Sequence, residues 1–408
     1  MAGGLISVAE ARRRVLAAVE PLPCERVELG AAPGRVLGED VASEGPLPPY
    51  DASAMDGFVA RAGPAEELEV VGESRAGCPA GAAVEAGRAM RISTGAMVPE
   101  GGEAVVPVER AEVVGERPSS GGADAPERVR LPERAPGDHI RRGGEEMLAG
   151  EVLVRAGRRI GPAEVAALAA AGGGEVVCGT IPRVAVISTG DELVAPGRPL
   201  APGQVRDSNA PALAALTERA GARVVYCARA RDEPAATVAA LSSALERADL
   251  VCIAGGVSVG EHDHVKGVLA ELGVEERFWG VALKPGKPTW FGVHGASLVF
   301  GLPGNPVSAM VTFDLFARPA LARLAGAHEV VPRPIYAALE ESVARHRSRE
   351  QAVRGRVEQR PDGAHAIPTG PQGSHRVTSL LGANALLLVA AGEGELPAGA
   401  RVELEPLS

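Results

Sequence analysis

Apolar residues change their spacing along the chain, and each change marks a different kind of element. From residue 8 to residue 19 they recur at helical spacing behind a Ser7–Glu10 capping-box pattern, which predicts an N-terminal helix. A second helix is predicted to begin at Pro162 and to end before the glycines at 172–174. Between these helices, residues 46–146 carry short apolar runs broken by Gly and Pro, which predicts an all-β insertion.

Strand-like and helix-like runs alternate after residue 183. The predicted strands are 184–188, 223–227, 250–254, 290–293 and 298–302, and the predicted helices are 211–220, 233–248, 265–272 and 306–324. Such alternation predicts a parallel, doubly wound sheet with helices on both faces. After Gly326 short β-like runs return, separated by Gly and Pro, which predicts a small C-terminal β domain.

The fold class is therefore predicted to be α/β plus β, in a chain whose 408 residues are too many for one core. We expect four units: a split N-terminal domain (1–45 and 147–180), a β-rich insertion (46–146), an α/β domain (181–327) and a C-terminal β domain (328–408).

Composition narrows the class of protein. A net charge of −10 argues against a general nucleic-acid surface. No apolar run approaches the roughly 20 residues that a membrane span needs. Five cysteines are scattered singly, which is typical of reduced thiols in the cytosol. The sequence thus predicts a soluble cytoplasmic protein without a nucleic-acid or membrane partner.

The placement of lysine is the first chemical signal. Only three of the 42 basic residues are lysine, and these are Lys266, Lys284 and Lys287. Lysine is a compact point charge on a flexible stem, whereas arginine is a wide planar fork. Because Lys284 and Lys287 share the stiff loop Leu-Lys-Pro-Gly-Lys-Pro, we expect them to face an anion.

Glycine-rich segments follow three of the predicted strands of the α/β domain. Ligands of open α/β sheets bind outside the carboxyl ends of the strands, where glycine lets the backbone approach them. The candidate binding residues in these segments are Ser188, Thr189, Gly190, Gly255, Gly256, Ser258, Gly304 and Asn305. With the lysines they predict a phosphate-binding surface, although the Pro303–Pro306 segment alone could be a rigid turn that starts a helix.

Carboxylates accompany these segments. Glu192, Asp232 and Asp263 could hold a hard divalent ion against a phosphate. Asp232 could instead be the N-cap of the helix that follows it.

The insertion carries its own candidates. Asp56 lies on the tight turn Ser-Ala-Met-Asp-Gly, and Thr94, the Arg141-Arg142 pair and Glu146 follow. A carboxylate, a hydroxyl and paired arginines suit a metal-bridged phosphate or an oxyanion. For each of these motifs alone, a solvated loop is the alternative.

Taken in order, the motifs resemble a known family. They are Asp51-x-Ser-Ala-Met-Asp-Gly, Thr94-Gly-Ala, Ser-Thr-Gly-Asp-Glu-Leu, Gly-Gly-Val-Ser-Val-Gly, Lys-Pro-Gly-Lys-Pro, Gly-Leu-Pro-Gly-Asn-Pro-Val-Ser and Gln372-Gly-Ser-His375. The set is similar to that of the molybdopterin molybdenumtransferases, which are related to the C-terminal domain of gephyrin. The resemblance implies insertion of molybdenum from molybdate into adenylylated molybdopterin, with release of AMP. It also implies a C-terminal β-barrel.

The resemblance further implies a homodimer with a composite active site between the α/β domain of one subunit and the insertion of the other. The implied site residues are Asp56, Thr94, Glu192, Asp263, Lys284 and Lys287 for catalysis, with Asp232, Ser308 and Ser374 for substrate. Mg²⁺ would be held by Asp56, Glu146 and Asp263. Glu146 stands where the family usually has Asp, so that carboxylate is one methylene longer.

Two alternative functions stay open. A molybdopterin adenylyltransferase has a similar α/β domain, but it lacks the 180 residues that precede this one. A non-catalytic molybdopterin-binding scaffold would not need Asp56, Glu192, Asp232 and Asp263 all at motif positions. Under the transferase hypothesis, an adenylyltransferase and cofactor-accepting enzymes are the implied partners.

Overall fold

A computed structural model describes residues 4–114, 127–257, 264–331 and 333–407. The chain opens with α1 (Val8–Ala17), β1 (Cys24–Glu28) and β2 (Val41–Ala42). The predicted cap of α1 is present, because Ser7 Oγ accepts a hydrogen bond from Glu10 N at 3.1 Å. The Glu10 carboxylate binds Arg13 and Arg14 on the next turn instead of returning to the cap.

A six-stranded sheet forms most of the insertion. Its region contains β3 (Ala52–Ser53), β4 (Gly57–Ala60), β5 (Glu66–Ser74), β6 (Arg88–Ile92), β7 (Ala104–Pro107), β8 (Glu112–Val114), β9 (Arg128–Leu131) and β10 (Ile140–Arg141). The sheet order is β7-β4-β6-β5-β9-β8, and only the β5–β6 pair is parallel. Apolar side chains alternate between its two faces, so that Phe58 and Val59 lie in separate small cores.

The chain then returns to the strands that preceded the insertion. The returning elements are β11 (Val152–Val154), α2 (Pro162–Ala170) and β12 (Glu175–Gly179). Strand β11 pairs with β2 and β12 pairs with β1, both antiparallel. Leu37, Ile160 and Leu168 pack between them, so segments on either side of the insertion share one core.

The α/β unit follows. It comprises β13 (Arg183–Thr189), β14 (Leu193–Val194), β15 (Val205–Arg206), α3 (Asn209–Arg219), β16 (Arg223–Ala230), α4 (Pro234–Leu245), β17 (Leu250–Ala254), α5 (Val265–Glu271), β18 (Glu275–Trp279), β19 (Leu283–Lys284), β20 (Trp290–His294), β21 (Ser297–Leu302), α6 (Pro306–Thr312) and α7 (Arg318–Leu324). The main sheet has the order β16-β13-β17-β21-β20-β18.

The prediction of a parallel sheet holds for four strands and was wrong at one edge. The first four strands in this order are parallel, whereas β20 runs antiparallel to both of its neighbours, β21 and β18. The reason is the short connection at Gly295 between β20 and β21, since a parallel return needs a crossover of a dozen or more residues. Helices α3 and α6 cover one face and α4 and α5 the other, as the alternation predicted.

Helix α1 packs on this α/β unit. Val8, Ala11 and Val15 share a core with Phe313 and Leu321 of the last helices. The N-terminal helix is thus adjacent in space to elements some 300 residues further along.

The long helix predicted at 306–324 is present, but a π-helical segment, Phe313–Ala317, joins α6 to α7. Pro319 lies just beyond this segment and has no N–H to donate to the carbonyl four residues earlier. That carbonyl, Leu315 O, accepts a hydrogen bond from Arg12 Nε at 3.0 Å. Arg12 therefore supplies a donor to a carbonyl whose usual α-helical partner is a proline.

The C-terminal part is a closed barrel. Its region holds β22 (Ile335–Leu339), β23 (Val343–Ala344), β24 (Glu350–Arg360), β25 (Gly363–Pro368), β26 (Ala385–Val389), β27 (Glu395–Leu396) and β28 (Arg401–Pro406). Five strands close in the order β24-β25-β22-β28-β26, with β26 pairing back to β24. Strand β19 joins the sheet beside the start of β24, although it lies between two strands of the α/β unit in the sequence.

The predicted fold class is confirmed: an α/β unit, a β-rich insertion and a C-terminal barrel. The residue numbers at which the four units divide stay a prediction. Within the described ranges, no helix is long and apolar enough to cross a membrane.

A buried charge cluster lies where α1, the last helices and the barrel meet. Asp314 is 2% exposed, and its Oδ1 is 3.6 Å from Arg318 Nε and 3.8 Å from Arg219 Nη2. Glu405 of the last barrel strand binds both Arg12 and Arg318. The pKa of the Asp314 carboxyl is raised to about 6, and burial is the main cause. Glu405 also raises this pKa, whereas Arg318 and Arg219 lower it.

Asp314→Asn should change how stability depends on pH. The pKa of Asp314 is about 6 in the folded protein against an ordinary 3.8, so the folded wild type binds this proton more tightly. Wild type should therefore lose stability as pH rises from about 4 to 6, whereas the variant has no proton to lose there. Relative to wild type, the variant's free energy of unfolding should rise by about 2–3 kcal/mol between pH 4 and pH 7. Urea titrations at several pH values measure this, and a difference that is constant with pH contradicts it.

Candidate functional site

A cavity of about 700 Å³ opens at the carboxyl ends of the parallel strands. It is lined by Thr189, Gly190, Glu192, Leu193, Val205, Arg206, Ser208, Asn209, Asp232, Ala254, Gly255, Gly256, Val257, Pro288, Pro303, Gly304, Asn305, Pro306 and His375. Eight of the residues predicted from the sequence are in this lining: Thr189, Gly190, Glu192, Asp232, Gly255, Gly256, Gly304 and Asn305. The three glycine-rich segments therefore meet at one place.

Close packing explains why glycine follows β17. A Cβ atom on Gly255 would lie 2.7 Å from Thr189 Oγ1 and 2.9 Å from Thr189 O, which is too short for any side chain. Gly255 and Gly256 also have positive φ values of 101° and 66°. The loops after β13 and β17 can therefore touch, and together they form the floor of the cavity.

Among the described residues, the Thr189 hydroxyl group has no hydrogen-bond partner. The residue is 8% exposed, and its buried Oγ1 makes no hydrogen bond. Buried polar groups are nearly always paired, so an unpaired hydroxyl in a cavity lining is a candidate contact for a bound molecule.

Two carboxylates line the cavity, and one of them is held by a reciprocal pair of hydrogen bonds. Asp191 N donates to Asp232 Oδ2 at 3.2 Å, and Asp232 N donates to Asp191 Oδ1 at 3.3 Å. Helix α4 is preceded by Glu233, which makes no side-chain cap. Asp232 thus joins the loops after β13 and β16.

Ser188 does not line the cavity. It is fully buried, and its hydroxyl donates to Asp207 Oδ2 at 2.5 Å. The other oxygen of Asp207 accepts from Asn209 N at 3.0 Å and from Ala210 N at 3.1 Å. Asp207 is therefore the side-chain cap of α3, and Ser188 supports that cap.

The positive charge in the described lining comes from Arg206, which the sequence analysis did not single out. Among the described residues of the lining, Arg206 is the only lysine or arginine, and His375 reaches in from the C-terminal part. Lys284 and Lys287 are exposed and are not in the lining, although Pro288 beside them is. Lys284 lies on β19, so the barrel sheet fixes its backbone. His375 is part of the Gln372-Gly-Ser-His375 motif, whereas nothing in the sequence distinguished Arg206 from the other arginines.

The C-terminal part is bonded to the start of α6. Asn305 Nδ2 donates to Ser374 Oγ at 3.1 Å, and Val307 N donates to Ser374 O at 3.2 Å. Ser308 is 3% exposed within α6 and is not in the lining. Ser374 therefore lies beside the cavity and orients Asn305, which lines it.

The candidates of the insertion lie outside this cavity. Asp56 Oδ1 accepts from Thr94 N at 2.6 Å, which joins the two turns of the insertion. Glu146 lines a second cavity of about 480 Å³ with Arg141 and Gly95.

Ser258 and Asp263 lie outside the described residues. Within the described part of the chain, no three His, Cys, Asp or Glu side chains form a group that could hold a metal ion.

Three family models match this chain in sequence. They are described as the MoeA N-terminal region (domain I and II) at residues 6–172, a probable molybdopterin binding domain at 185–323 and the MoeA C-terminal region (domain IV) at 336–407. A molybdopterin molybdenumtransferase of Haemophilus influenzae is 34% identical over 99% of both chains. This chain belongs to the molybdopterin molybdenumtransferase family.

Other members agree with this family assignment. A molybdopterin molybdenumtransferase 2 of Mycobacterium tuberculosis is 37% identical over 94% of this chain and 95% of its own. A MoeA protein of Pyrococcus horikoshii, known from a crystal structure, is 31% identical in sequence to this chain. The two structures superpose with a TM-score of 0.81, covering 99% of this chain and 100% of the other. The resemblance found in the sequence motifs is confirmed. The cavity lies in the segment matched by the probable molybdopterin binding domain.

Asp207→Ala should destabilise this family member. It removes a helix cap, worth about 1 kcal/mol, and leaves the buried Ser188 hydroxyl unpaired, which costs about 1–3 kcal/mol. The free energy of unfolding should fall by about 2–4 kcal/mol in denaturant titrations. Asp207→Asn keeps the capping oxygen and should cost less than half as much; equal losses would show that the cap is not what Asp207 provides.

Proposed function

We propose that this chain inserts molybdenum from molybdate into adenylylated molybdopterin and releases AMP. The observation that carries the proposal is the cavity of about 700 Å³, which the three glycine-rich segments form at the carboxyl ends of the parallel strands. Ligands of open α/β sheets bind at this edge. The substrate would bind there, in a segment whose family model is named for molybdopterin.

Arg206 would bind the phosphate groups of the substrate. It is a cation in the same lining as the glycine-rich loops, and a guanidinium can hold two phosphate oxygens at once. The start of α6 at Pro306 supports the same role, because the positive end of a helix dipole favours an anion.

Glu192 and Asp232 would accept hydrogen bonds from N–H groups of the pterin or the adenine. Both carboxylates line the cavity, and Asp232 is held by its bonds to Asp191. The Thr189 hydroxyl, which has no partner among the described residues, and the Asn305 side chain would complete the contacts. Cavity residues Gly190, Gly255, Gly256 and Gly304 would let the substrate approach the backbone.

We also propose a homodimer with a composite site. Asp56 and Thr94 are joined to each other on exposed turns of the insertion, outside the cavity of their own chain. In a second copy these groups could reach the cavity of the first. Ser188 and Ser308 would act indirectly, since both are buried, and Ser374 would act through Asn305.

Mg²⁺ is the proposed metal ion. It usually takes one or two carboxylates together with substrate phosphates, and the cavity offers such donors in Glu192 and Asp232. Asp56, Glu146 and Asp263 are the ligands that the family resemblance implies. When bound, the ion would offset the charge of the phosphates and of molybdate.

Positioning is the main work that the protein would do in this reaction. Molybdate and the phosphates are both anions, so Arg206, Lys284 and Lys287 would reduce their repulsion and hold them in contact. Good positioning can contribute about 7–11 kcal/mol to a reaction between two bound groups. An adenylyltransferase would supply the substrate, and enzymes that use the cofactor would accept the product.

The direct test is AMP release from adenylylated molybdopterin with Mg²⁺, in the presence and absence of molybdate. Release that depends on molybdate, together with molybdenum in the pterin product, is the expected result. Tight binding without release would favour the scaffold alternative, and synthesis of the adenylylated substrate from ATP would favour the adenylyltransferase.

Lys287→Arg should reduce turnover at least tenfold, or about 1.4 kcal/mol, without loss of fold. The reason is that a planar fork cannot replace a compact ammonium group beside the cavity rim at Pro288. Lys266→Arg is the matched control, because Lys266 packs over the Trp279 ring at 4.7 Å, where arginine packs equally well. Wild-type turnover in Lys287→Arg would refute the role of this lysine.

A further inference from the structure

Arg354 is a fully buried cation in the barrel, with 1% of its surface exposed. Among the described residues no carboxylate lies within ion-pair distance of it, whereas Arg134, buried in the insertion, pairs with Glu66 at 2.6 Å. Burial lowers the pKa of Arg354 to about 10. A buried charge without a counter-charge is costly, so its hydrogen bonds must compensate.

The hydrogen bonds of the Arg354 side chain all go to one segment, residues 369–379. Its guanidinium donates to Ser379 Oγ at 3.1 Å, to Gly373 O at 3.3 Å and to Pro371 O at 3.5 Å. Its backbone is bonded there too, since its N–H donates to Gln372 Oε1 at 2.9 Å and its carbonyl accepts from Gln372 Nε2 at 3.1 Å. Between β25 and the 3₁₀ turn at Val377–Leu380 the segment has no regular structure of its own.

The opposite side of this segment reaches the cavity. His375 is in the cavity lining. Ser374 accepts hydrogen bonds from Asn305 Nδ2 and from Val307 N, at the start of α6. One buried guanidinium thus holds the inner side of a loop whose outer side completes the candidate site.

We propose that Arg354 is a positioning residue for the reaction: it fixes residues 371–375 so that His375 lines the binding cavity and Ser374 orients Asn305. Arg354 is enclosed by the barrel and does not touch the cavity itself. Its role in turnover rests on the proposed function, whereas its control of the loop does not.

Arg354→Met tests the role in turnover. Methionine fills the space without a charge and removes the three hydrogen bonds to the loop, and it also removes the cost of keeping an unpaired charge buried. The KM for adenylylated molybdopterin should rise at least tenfold, with kcat changed less than threefold, because the loop contributes to binding. Arg356→Met is the matched control: Arg356 is on the same strand, is exposed and pairs with Glu358. An unchanged KM in Arg354→Met, or an equal rise in Arg356→Met, overturns the proposal.

Hydrogen exchange tests the loop without any substrate. Amides of residues 372–376 should exchange at least tenfold faster in Arg354→Met than in wild type, while those of β24 and β26 keep their protection. Unchanged exchange in the loop overturns the proposal whether or not the chain releases AMP. If wild type releases no AMP but the loop responds, the proposed function fails and the control of the loop stands. If Arg354→Met does not fold, Arg354→Lys can be used in the same exchange experiment. Lysine keeps the charge but cannot reproduce the three hydrogen bonds of the planar guanidinium.

A double-mutant cycle separates positioning from general destabilisation. If Arg354 acts through the loop, Arg354→Met should have less than a threefold effect on KM once His375→Ala and Ser374→Ala are present. If Arg354→Met raises KM by the same factor in wild type and in the variant with His375→Ala and Ser374→Ala, then Arg354 does not act through these two residues. That result would overturn the proposal.

Discussion

The contact between the β13 and β17 loops is the constraint on which the candidate site depends. Neighbouring parallel strands end at the same edge of a sheet, so their loops compete for one space. That space is so small that Gly255 cannot carry even a methyl group against Thr189. The floor of the cavity and the access to backbone groups follow from this approach.

Arginines that are partly or fully buried attach other parts of the chain to the α/β unit in two ways. Arg12 and Arg318 bind Glu405 and so join α1, the last helices and the barrel through paired charges. Arg354 has no carboxylate among the described residues and holds only carbonyl and hydroxyl oxygens. The first arrangement fixes whole elements, whereas the second fixes a loop of a few residues at the edge of the site.

Much of this architecture could be predicted because local patterns determined it. Helical spacing placed α1, Pro162 and the glycines at 172–174 placed α2, and glycine-rich segments after strands marked the cavity. Three features could not be predicted. Ser188 alternates with Thr189 along β13, so its side chain points away from the cavity toward Asp207. The two-residue strand β19 has no periodicity to detect. Arg354 is one arginine among 39, and only its burial distinguishes it.

The bond between Arg12 and Glu405 joins residues 393 positions apart, near opposite ends of the sequence. On a ribosome adding about 5–20 residues per second, Arg12 would wait roughly 20–80 s for this partner. For most of that time, until Phe313 and Leu321 have been made, the apolar face of α1, with Val8, Ala11 and Val15, has no surface to pack against. A nascent chain of this family member would therefore offer chaperones an early, exposed binding segment at its N-terminus.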